Sequence, residues 1–319
     1  MNKYTNNLNI DMAVAAWLAS DQYTHNPDPY TISATSLLKP VRELALQFLP
    51  GVKRTTEDVM DLRASRVGTS VHDSIRVFWE DPVRRRKALL DLGMPESFCD
   101  RIDINPLNIN DDRHSIYLEQ RGERKLGKWT ITGEFDFWEM GCFHDFKNTG
   151  TYTYQKGTKD LDYVLQMSIY RWIFQDMLYS DGLGKIHFLF SNWTPGQISI
   201  PNYPPTPIIT QEYALYEPAK TERWLKDRLA ALDQAIAVMP DQTLLPVCTN
   251  KERWLDPAEY KYFAKPDAKR ATKNFGTDAK AAYDHRATKG TGVVKEFKQP
   301  AKYCANYCSA RQVCELAKS

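Results

Sequence analysis

The chain switches between segments whose apolar residues recur at helical spacing and segments whose apolar residues recur at every second position. Apolar side chains three and four residues apart predict helices over residues 33–49, 67–78, 162–178 and 219–238. The first of these segments opens with hydroxyl side chains that are suited to an N-cap. The second carries His72 near its middle.

Period-two patterning dominates residues 129–147, where β-branched and aromatic side chains alternate with polar ones on either side of Met140 and Gly141. This pattern predicts a β-hairpin with a two-residue turn. Shorter runs at 185–193 and 211–216 predict two more strands, joined by a Pro-rich connection. The order helix, hairpin, helix, strand, strand, helix indicates an α/β protein with a mixed sheet.

We therefore predict a core over residues 1–245, with an N-terminal helical segment, and an appended basic unit over residues 246–319 that cysteines tie together. With 319 residues, 42% hydrophobic and 12% aromatic, the chain can bury a large core, which excludes a mainly disordered protein. It has no apolar run of about 18 residues, and its amino terminus lacks the apolar stretch of a secretory signal. We expect a cytoplasmic protein with no membrane partner.

The basic charge is concentrated near the carboxyl terminus. The net charge is only +2, yet residues 251–303 contain 13 Lys or Arg against 7 Asp or Glu. Such a segment can attract a polyanion such as DNA, or it can be an ordinary solvated face, and the sequence leaves both interpretations open.

The hairpin brings together two carboxylates. A two-residue turn at Met140 and Gly141 places Asp136 directly opposite Asp145, and like charges in that position are destabilising unless a cation compensates them. Lys147 projects from the same strand face as Asp145. Two carboxylates suit Mg²⁺ or Mn²⁺, and a nearby ammonium group suits phosphodiester hydrolysis. The alternative is a plain sheet-edge pair in which Lys147 forms a salt bridge with Glu134.

Three cysteines lie within 11 residues, in the pattern Cys304-x3-Cys308-x5-Cys314, and Cys248 at the start of the same unit supplies a fourth. Thiolates at this spacing suit either a 4Fe-4S cluster or tetrahedral Zn²⁺, and the spacing does not choose between them. The remaining alternative is four buried free thiols. Cys99 and Cys142 lie outside the pattern, and we interpret them as small core residues.

Four motifs, taken in order, resemble those of the PD-(D/E)XK nucleases. They are Gly-Thr-Ser-Val-His ending at His72, Gly-Glu-Phe-Asp ending at Asp136, Asp145-Phe-Lys147, and Gln166-Met-Ser-Ile-Tyr170. The last motif and the cysteines are similar to the RecB-like branch, which includes CRISPR-associated and phage-encoded nucleases. The resemblance covers residues 30–319.

The resemblance implies a restriction-endonuclease-like core and a Mg²⁺- or Mn²⁺-dependent deoxyribonuclease, with exonuclease action on single-stranded DNA or duplex ends favoured. It implies that His72, Asp136 and Asp145 bind the metal and that Lys147, Gln166 and Tyr170 complete the catalytic set. It implies a 4Fe-4S cluster on Cys248, Cys304, Cys308 and Cys314, although the first gap here is three residues where two is commoner. A phage-encoded protein of the host cytoplasm, acting in DNA recombination, repair or processing, fits this branch.

A different class of function remains open. A chain with this fold could be a non-catalytic or partner-dependent DNA-binding subunit of a recombination complex. It could also belong to a CRISPR-adaptation or counter-defence complex with an integration protein as partner. Steeply salt-dependent DNA binding without metal-dependent cleavage would indicate such a subunit.

Overall fold

The structure is a computed structural model that describes residues 4–20, 28–49 and 57–317. The chain divides into two compact units. Unit 1 comprises residues 1–38 and 53–229, and unit 2 comprises residues 39–52 and 230–319. The predicted division at 245/246 differs from this one, because unit 2 begins inside a long helix and also includes a short segment from the amino-terminal part of the chain.

The strands, in chain order, are β1 Tyr4–Thr5, β2 Thr31–Ser33, β3 Glu57–Asp58, β4 Ile102–Ile104, β5 His114–Leu126, β6 Trp129–Glu139, β7 Cys142–Thr149, β8 Leu183–Phe190, β9 Ile208–Ala214, β10 Glu259–Phe263, β11 Lys273–Asn274 and β12 Val293–Phe297.

The helices are α1 Met12–Ala19, α2 Ala34–Leu37, α3 Val41–Leu46, α4 Arg63–Glu80, α5 Pro82–Asp91, α6 Glu96–Cys99, α7 Thr151–Lys156, α8 Asp160–Phe174, α9 Pro218–Ala237, α10 Asn250–Arg253, α11 Ala279–Lys289 and α12 Lys302–Asn306. Single 3₁₀ turns lie at Val59–Leu62, Pro195–Gln197 and Glu315–Ala317.

Unit 1 is a mixed α/β structure around a central sheet. Within the described ranges this sheet has seven strands in the order β4-β5-β6-β7-β8-β9, with β2 paired to β6 off that path. The pairs β5–β6, β6–β7 and β8–β9 are antiparallel, whereas β4–β5, β7–β8 and β2–β6 are parallel. The prediction of a mixed sheet flanked by helices is therefore confirmed at this coarse level.

Two helices pack on this sheet and hold the residues of interest. Phe135 of β6 meets Phe174 of α8 edge to face, with ring centroids 4.8 Å apart. Trp79 of α4 meets Phe137 at 5.4 Å and joins a buried apolar cluster around Ile116. Burial of large aromatic side chains is the main stabilising contribution at these contacts.

Four of the predicted elements are confirmed with shifted ends: α4, α8, α9 and the hairpin β6–β7. The hairpin turn has left-handed backbone at Met140 (φ +46°) and Gly141 (φ +83°), which matches the twist of antiparallel strands. The predicted strands at 185–193 and 211–216 are present as β8 and β9, each beginning and ending a few residues earlier.

The single helix predicted over residues 33–49 is wrong. Its first residue ends strand β2, and the rest forms two short helices, α2 and α3, separated by Leu38, Lys39 and Pro40. Pro40 has no amide hydrogen and disfavours helical backbone at the residue before it, so the apolar period continues while the helix does not. Strand β5, the longest in the sheet, lies in a segment for which no element was predicted.

Unit 2 contains a small antiparallel sheet in the order β11-β10-β12, which three strands form within the described residues. Helix α11 packs on one side of it, where Tyr262 meets His285 edge to face at 4.9 Å. Unit 2 also contains α3, whose residues 42–46 are all buried, and the short helices α10 and α12. In the described part of the chain, no helix is both long enough and apolar enough to cross a membrane.

Candidate active site

The hairpin positions Asp136 close to Asp145. The β6–β7 ladder has the predicted register over three residue pairs, from Phe137–His144 to Glu139–Cys142. The ladder ends one residue before Asp136 and Asp145. There, the backbone N–H of Phe146 donates to Asp136 Oδ2 at 2.8 Å. Asp136 thus accepts a hydrogen bond from the backbone of β7 at the end of the ladder. Its other carboxylate oxygen, Oδ1, faces a residue on α4.

That residue on α4 is His72. His72 Nδ1 lies 3.4 Å from Asp136 Oδ1, and His72 Nε2 lies 2.8 Å from the carbonyl oxygen of Phe146. Because a carbonyl only accepts, Nε2 carries the proton, and a neutral imidazole then keeps its lone pair on Nδ1. Burial acts to lower the pKa of His72, but Asp136 and the Phe146 carbonyl outweigh it and raise this pKa to about 9.

Glu119 was not predicted as a site residue. It lies on β5 between Leu118 and Gln120, which pair with Phe137 and Phe135, so it stands directly opposite Asp136. Its φ of +47° is rare for a residue with a side chain and marks local backbone strain. Burial, and then the charge of Asp136, raise the pKa of the Glu119 carboxyl to about 7. The pairing of β5 with β6 was the signal that could have found it.

His72, Glu119 and Asp136 form a group of potential metal ligands. One ligand atom from each lies within 4.8 Å of the other two, and Glu119 Oε1 is 4.0 Å from His72 Nδ1. All three side chains are partly exposed, which leaves a route for an ion. Two carboxylates and a histidine ring nitrogen suit a divalent cation, which would displace the proton from Nδ1 of His72 and neutralise the repulsion between the carboxylates.

Asp145 is buried, 2% exposed, and bonded to protein groups. Lys147 Nζ lies 2.9 Å from Asp145 Oδ1 and 2.7 Å from Oδ2. Burial raises the pKa of Asp145 to about 6, against the opposing effect of the Lys147 charge. Burial acts to lower the pKa of Lys147, and the two aspartates outweigh it and raise this pKa, so the ammonium group stays charged. Lys147 therefore pairs with Asp145 and not with Glu134.

Gln166 and Tyr170 lie one helical turn apart on α8 and support the same carboxylate. Gln166 Nε2 donates to Asp145 Oδ1 at 3.1 Å and to Tyr170 Oη at 2.8 Å. Both side chains are buried. Gln166 therefore fixes the carboxylate of Asp145.

Gly133 lets α8 approach the sheet at this point. A Cβ atom on Gly133 would lie 2.8 Å from Cδ1 of Tyr170, which is too close for any real contact. The glycine of the Gly-Glu-Phe-Asp motif therefore makes room for the ring that bonds to Gln166.

The four cysteines of the carboxyl-terminal pattern line one cavity in unit 2. Cys248, Cys304, Cys308 and Cys314 line it together with Arg42. No three of these sulfurs lie within 4.8 Å of one another among the described residues, so they do not form a compact ligand group. Cys99 and Cys142 are buried elsewhere, as predicted.

No protein-family model matches the chain, and no curated protein matches it. Among solved structures, the crystal structure of SSO0001 is similar, with 14% sequence identity and a TM-score of 0.42. The match covers 75% of this chain and 95% of that one. At this level of similarity it assigns no function.

Proposed function

We propose that this chain is a divalent-metal-dependent nuclease that hydrolyses phosphodiester bonds in DNA, with a PD-(D/E)XK core of the RecB-like branch. One observation carries the proposal. Residues that are distant in sequence, His72 on α4, the Asp145–Lys147 pair on β7 and Gln166 on α8, converge around the end of one hairpin ladder where Asp136 also lies. Such convergence of a cation-binding group and a fixed ammonium is typical of hydrolytic sites.

Asp136, His72 and Glu119, with Asp145 beside them, are the residues that would hold Mg²⁺ or Mn²⁺. They fit such an ion because their ligand atoms already lie close together and two of the three side chains are carboxylates. Bound there, the ion would polarise the phosphoryl group and lower the pKa of an attacking water. Glu119 is not part of the four sequence motifs. It adds a further potential metal ligand from β5, a strand outside the hairpin.

Lys147 is the catalytic cation of this proposal. Its ammonium group, fixed by both oxygens of Asp145, would stabilise negative charge that develops on the phosphate during water attack. Gln166 holds Asp145 from the other side, and Tyr170 holds Gln166. We assign Gln166 and Tyr170 as positioning residues, because both are buried.

DNA is the proposed substrate because the site is suited to phosphodiesters and unit 2 carries the basic segment 251–303. We propose exonuclease-like action on single strands or duplex ends, in recombination, repair or processing. A phage-encoded protein of the host cytoplasm, with a recombination or integration protein as partner, extends the same proposal.

The cysteine cavity is proposed to hold a 4Fe-4S cluster in preference to Zn²⁺. Tetrahedral Zn²⁺ with bonds of about 2.3 Å would draw its sulfurs to roughly 3.8 Å of one another. No three of the four sulfurs lie within 4.8 Å of one another among the described residues, and this wider spacing suits the larger cluster better. The donor set, four thiols around one cavity, fits either group chemically.

The test is cleavage of end-labelled single- and double-stranded DNA, with the 5′ or 3′ end blocked, in Mg²⁺ or Mn²⁺. The chain should degrade at least one of these substrates, and Lys147→Ala should abolish cleavage while Lys125→Ala, an exposed lysine on β5, should not. Cleavage that survives Lys147→Ala or Asp145→Ala would refute the assignment.

One observation favours a second candidate, a DNA-binding subunit without nuclease activity. Asp145 is almost fully buried and already bonded to Lys147 and Gln166, so it has less freedom to bind a metal than the partly exposed Asp136. Binding of labelled DNA that weakens steeply with salt, with no cleavage in any divalent metal, would establish this function instead.

A further inference from the structure

Arg42 is a buried cation without a carboxylate partner. It lies on α3 and is 5% exposed. Arginine side chains are positively charged in proteins. Arg42 Nε donates to Cys314 Sγ at 3.4 Å and its Nη1 to the carbonyl oxygen of Leu245 at 3.3 Å. In the described part of the chain, no carboxylate lies within ion-pair distance of it. An uncompensated buried charge is strongly destabilising, so an anion is needed nearby.

The neighbouring acid does not supply that anion. Glu43 is also buried, 2% exposed, but its Oε2 accepts from Tyr303 Oη at 2.7 Å. Its Oε1 accepts from the backbone N–H of Ser309 at 3.1 Å and from the Ser309 hydroxyl at 2.8 Å. Both oxygens of Glu43 are therefore hydrogen-bonded to the segment that carries Cys304 and Cys308, and these bonds connect α3 to that segment.

A second guanidinium group lines the same cavity. Arg253 borders it beside the four cysteines, and its Nε is buried with no hydrogen-bond partner among the described residues. A buried donor without an acceptor is costly, and native proteins keep few of them. Glu43 and Glu252 also line the cavity, but Glu252 Oε2 accepts from the N–H and the hydroxyl group of Thr249, so in the described part of the chain neither carboxylate is hydrogen-bonded to an arginine. The four sulfurs are the remaining groups of the lining that can become anionic.

We infer that the cavity holds a metal–thiolate centre of net negative charge, and that Arg42 is a positioning residue that neutralises it and donates an N–H to Cys314 Sγ. Neutral thiols provide no charge to compensate a guanidinium group, whereas four thiolates around Zn²⁺ or a 4Fe-4S cluster do. Hydrogen bonds to ligating sulfur orient the ligand and stabilise the bound form. This inference rests on the cysteine part of the proposed function and is independent of the nuclease site.

The experiment measures metal retention. The full-length chain is purified anaerobically, reconstituted with iron and sulfide or with zinc, and analysed for iron, labile sulfide and zinc. It is then challenged with excess chelator. Arg42→Gln, which keeps polarity and loses charge, should release metal about tenfold faster than the parent. Arg42→Lys, which keeps the charge and loses the Nε donor, should release it at an intermediate rate.

Arg286→Gln on α11 is the matched control, since it makes the same substitution within unit 2 at an arginine that does not line the cavity and whose Nε donates to the carbonyl oxygen of Gly292. It should release metal no faster than the parent. Equal acceleration in both variants would overturn the inference, because it would show that the effect does not depend on a guanidinium group at the cavity.

Thermal unfolding of the metal-free proteins separates charge compensation from simple stability. Without the centre, Arg42 is an uncompensated buried cation, so metal-free Arg42→Gln should be at least as stable as the metal-free parent, while the loaded variant should be less stable than the loaded parent. Equal destabilisation of both forms overturns the inference. So does a parent chain that retains neither iron nor zinc, an outcome that leaves DNA cleavage, assayed on the same sample, unaffected.

Discussion

His72 Nε2 donates to the carbonyl oxygen of Phe146 across 2.8 Å, which turns its Nδ1 toward Asp136. A helix residue is thereby fixed by the backbone between Asp145 and Lys147, so the ring orientation is set by the same strand that carries both proposed functional groups. An imidazole held in this way can bind a cation through Nδ1 without turning its ring, once the cation displaces the Nδ1 proton.

Substitution of His72 should therefore weaken metal binding directly. We expect His72→Gln to lower the affinity for Mn²⁺ about tenfold or more, because it removes the oriented ring nitrogen. Calorimetric titration of Mn²⁺ into the purified chain measures this. His285→Gln, a substitution on α11 in unit 2, is the control and should leave the affinity unchanged. Unaltered Mn²⁺ affinity in His72→Gln would remove His72 from the metal site.

Glu119 should contribute to the same site from β5. Glu119→Gln keeps the size of the side chain but removes one of two opposed carboxylates, so we expect weaker Mn²⁺ binding by about tenfold, together with a more stable metal-free protein. Glu123→Gln, four residues along the same strand and exposed, is the matched control. Thermal unfolding with EDTA and with Mn²⁺ measures both effects, and a metal-induced shift equal to that of the parent would contradict the role assigned to Glu119.

Lys147 and Asp145 should be needed for turnover more than for DNA binding. We expect Lys147→Met and Asp145→Asn to lower the cleavage rate by a factor on the order of 10² to 10³, because Lys147 supplies the positive charge for the reacting phosphate and Asp145 fixes that ammonium group. Fluorescence anisotropy with labelled DNA should show affinities within a few fold of the parent. A variant that cleaves normally but binds poorly would indicate that this pair contacts DNA and does not act in the chemistry.

Gly133 and Gly68 should respond to alanine in opposite directions. At Gly133 the new Cβ would meet the Tyr170 ring at 2.8 Å, and we expect a loss of about 1–3 kcal/mol in the free energy of unfolding and displacement of Gln166. At Gly68, within α4, nothing lies within 4 Å, so alanine should stabilise the helix by about 0.5–1 kcal/mol. Denaturant unfolding compares the two, and a stable, active Gly133→Ala protein would contradict the close approach of α8.

Acid sensitivity should depend on His144. Burial lowers the pKa of His144 to about 4, so the folded protein binds its proton less readily than the unfolded chain, whose His pKa is about 6.5. The contribution of neutral His144 to the free energy of unfolding is fully present above about pH 6.5 and is lost as the pH falls through about 4. The difference corresponds to roughly 3 kcal/mol.

We therefore expect His144→Gln to lose less stability than the parent between pH 7 and pH 4. Chemical unfolding at several pH values in EDTA measures this difference. The pKa of Glu139 is also lowered, chiefly by the hydrogen bond from His114, but this contribution is present in both proteins and largely cancels. Parallel stability curves for the two proteins would show that His144 does not titrate as its burial requires.

The hairpin could be predicted from the sequence because its information is local. Alternating side chains determine which residues share a face, and the two left-handed turn residues determine the register. Counting residues from the turn therefore predicts that Asp136 and Asp145 lie on the same face of the hairpin. Helix α8 could also be predicted from the sequence. Gln166 and Tyr170 are four residues apart, so helical geometry alone places their side chains next to each other.

The parts that could not be predicted depend on pairings between distant segments. Glu119 becomes a site residue only when β5 pairs with β6, and the polar second half of β5 gave no sign of a central strand. Likewise, the apolar period across residues 33–49 is real, but Pro40 divides it into α2 and α3. Periodicity reports which side chains are buried, and it does not report where the backbone stops being helical.

The discontinuity of unit 2 has a consequence for how the protein is made. The buried Arg42 of helix α3 bonds to Leu245 and Cys314, which follow it by 203 and 272 residues, and Glu43 bonds to Tyr303 and Ser309. During synthesis both charged side chains therefore lack these partners until the later residues have been made. A chain that ends before Tyr303 would leave them without these partners. We expect late stop codons to produce insoluble or degraded protein, not a freely folding amino-terminal fragment.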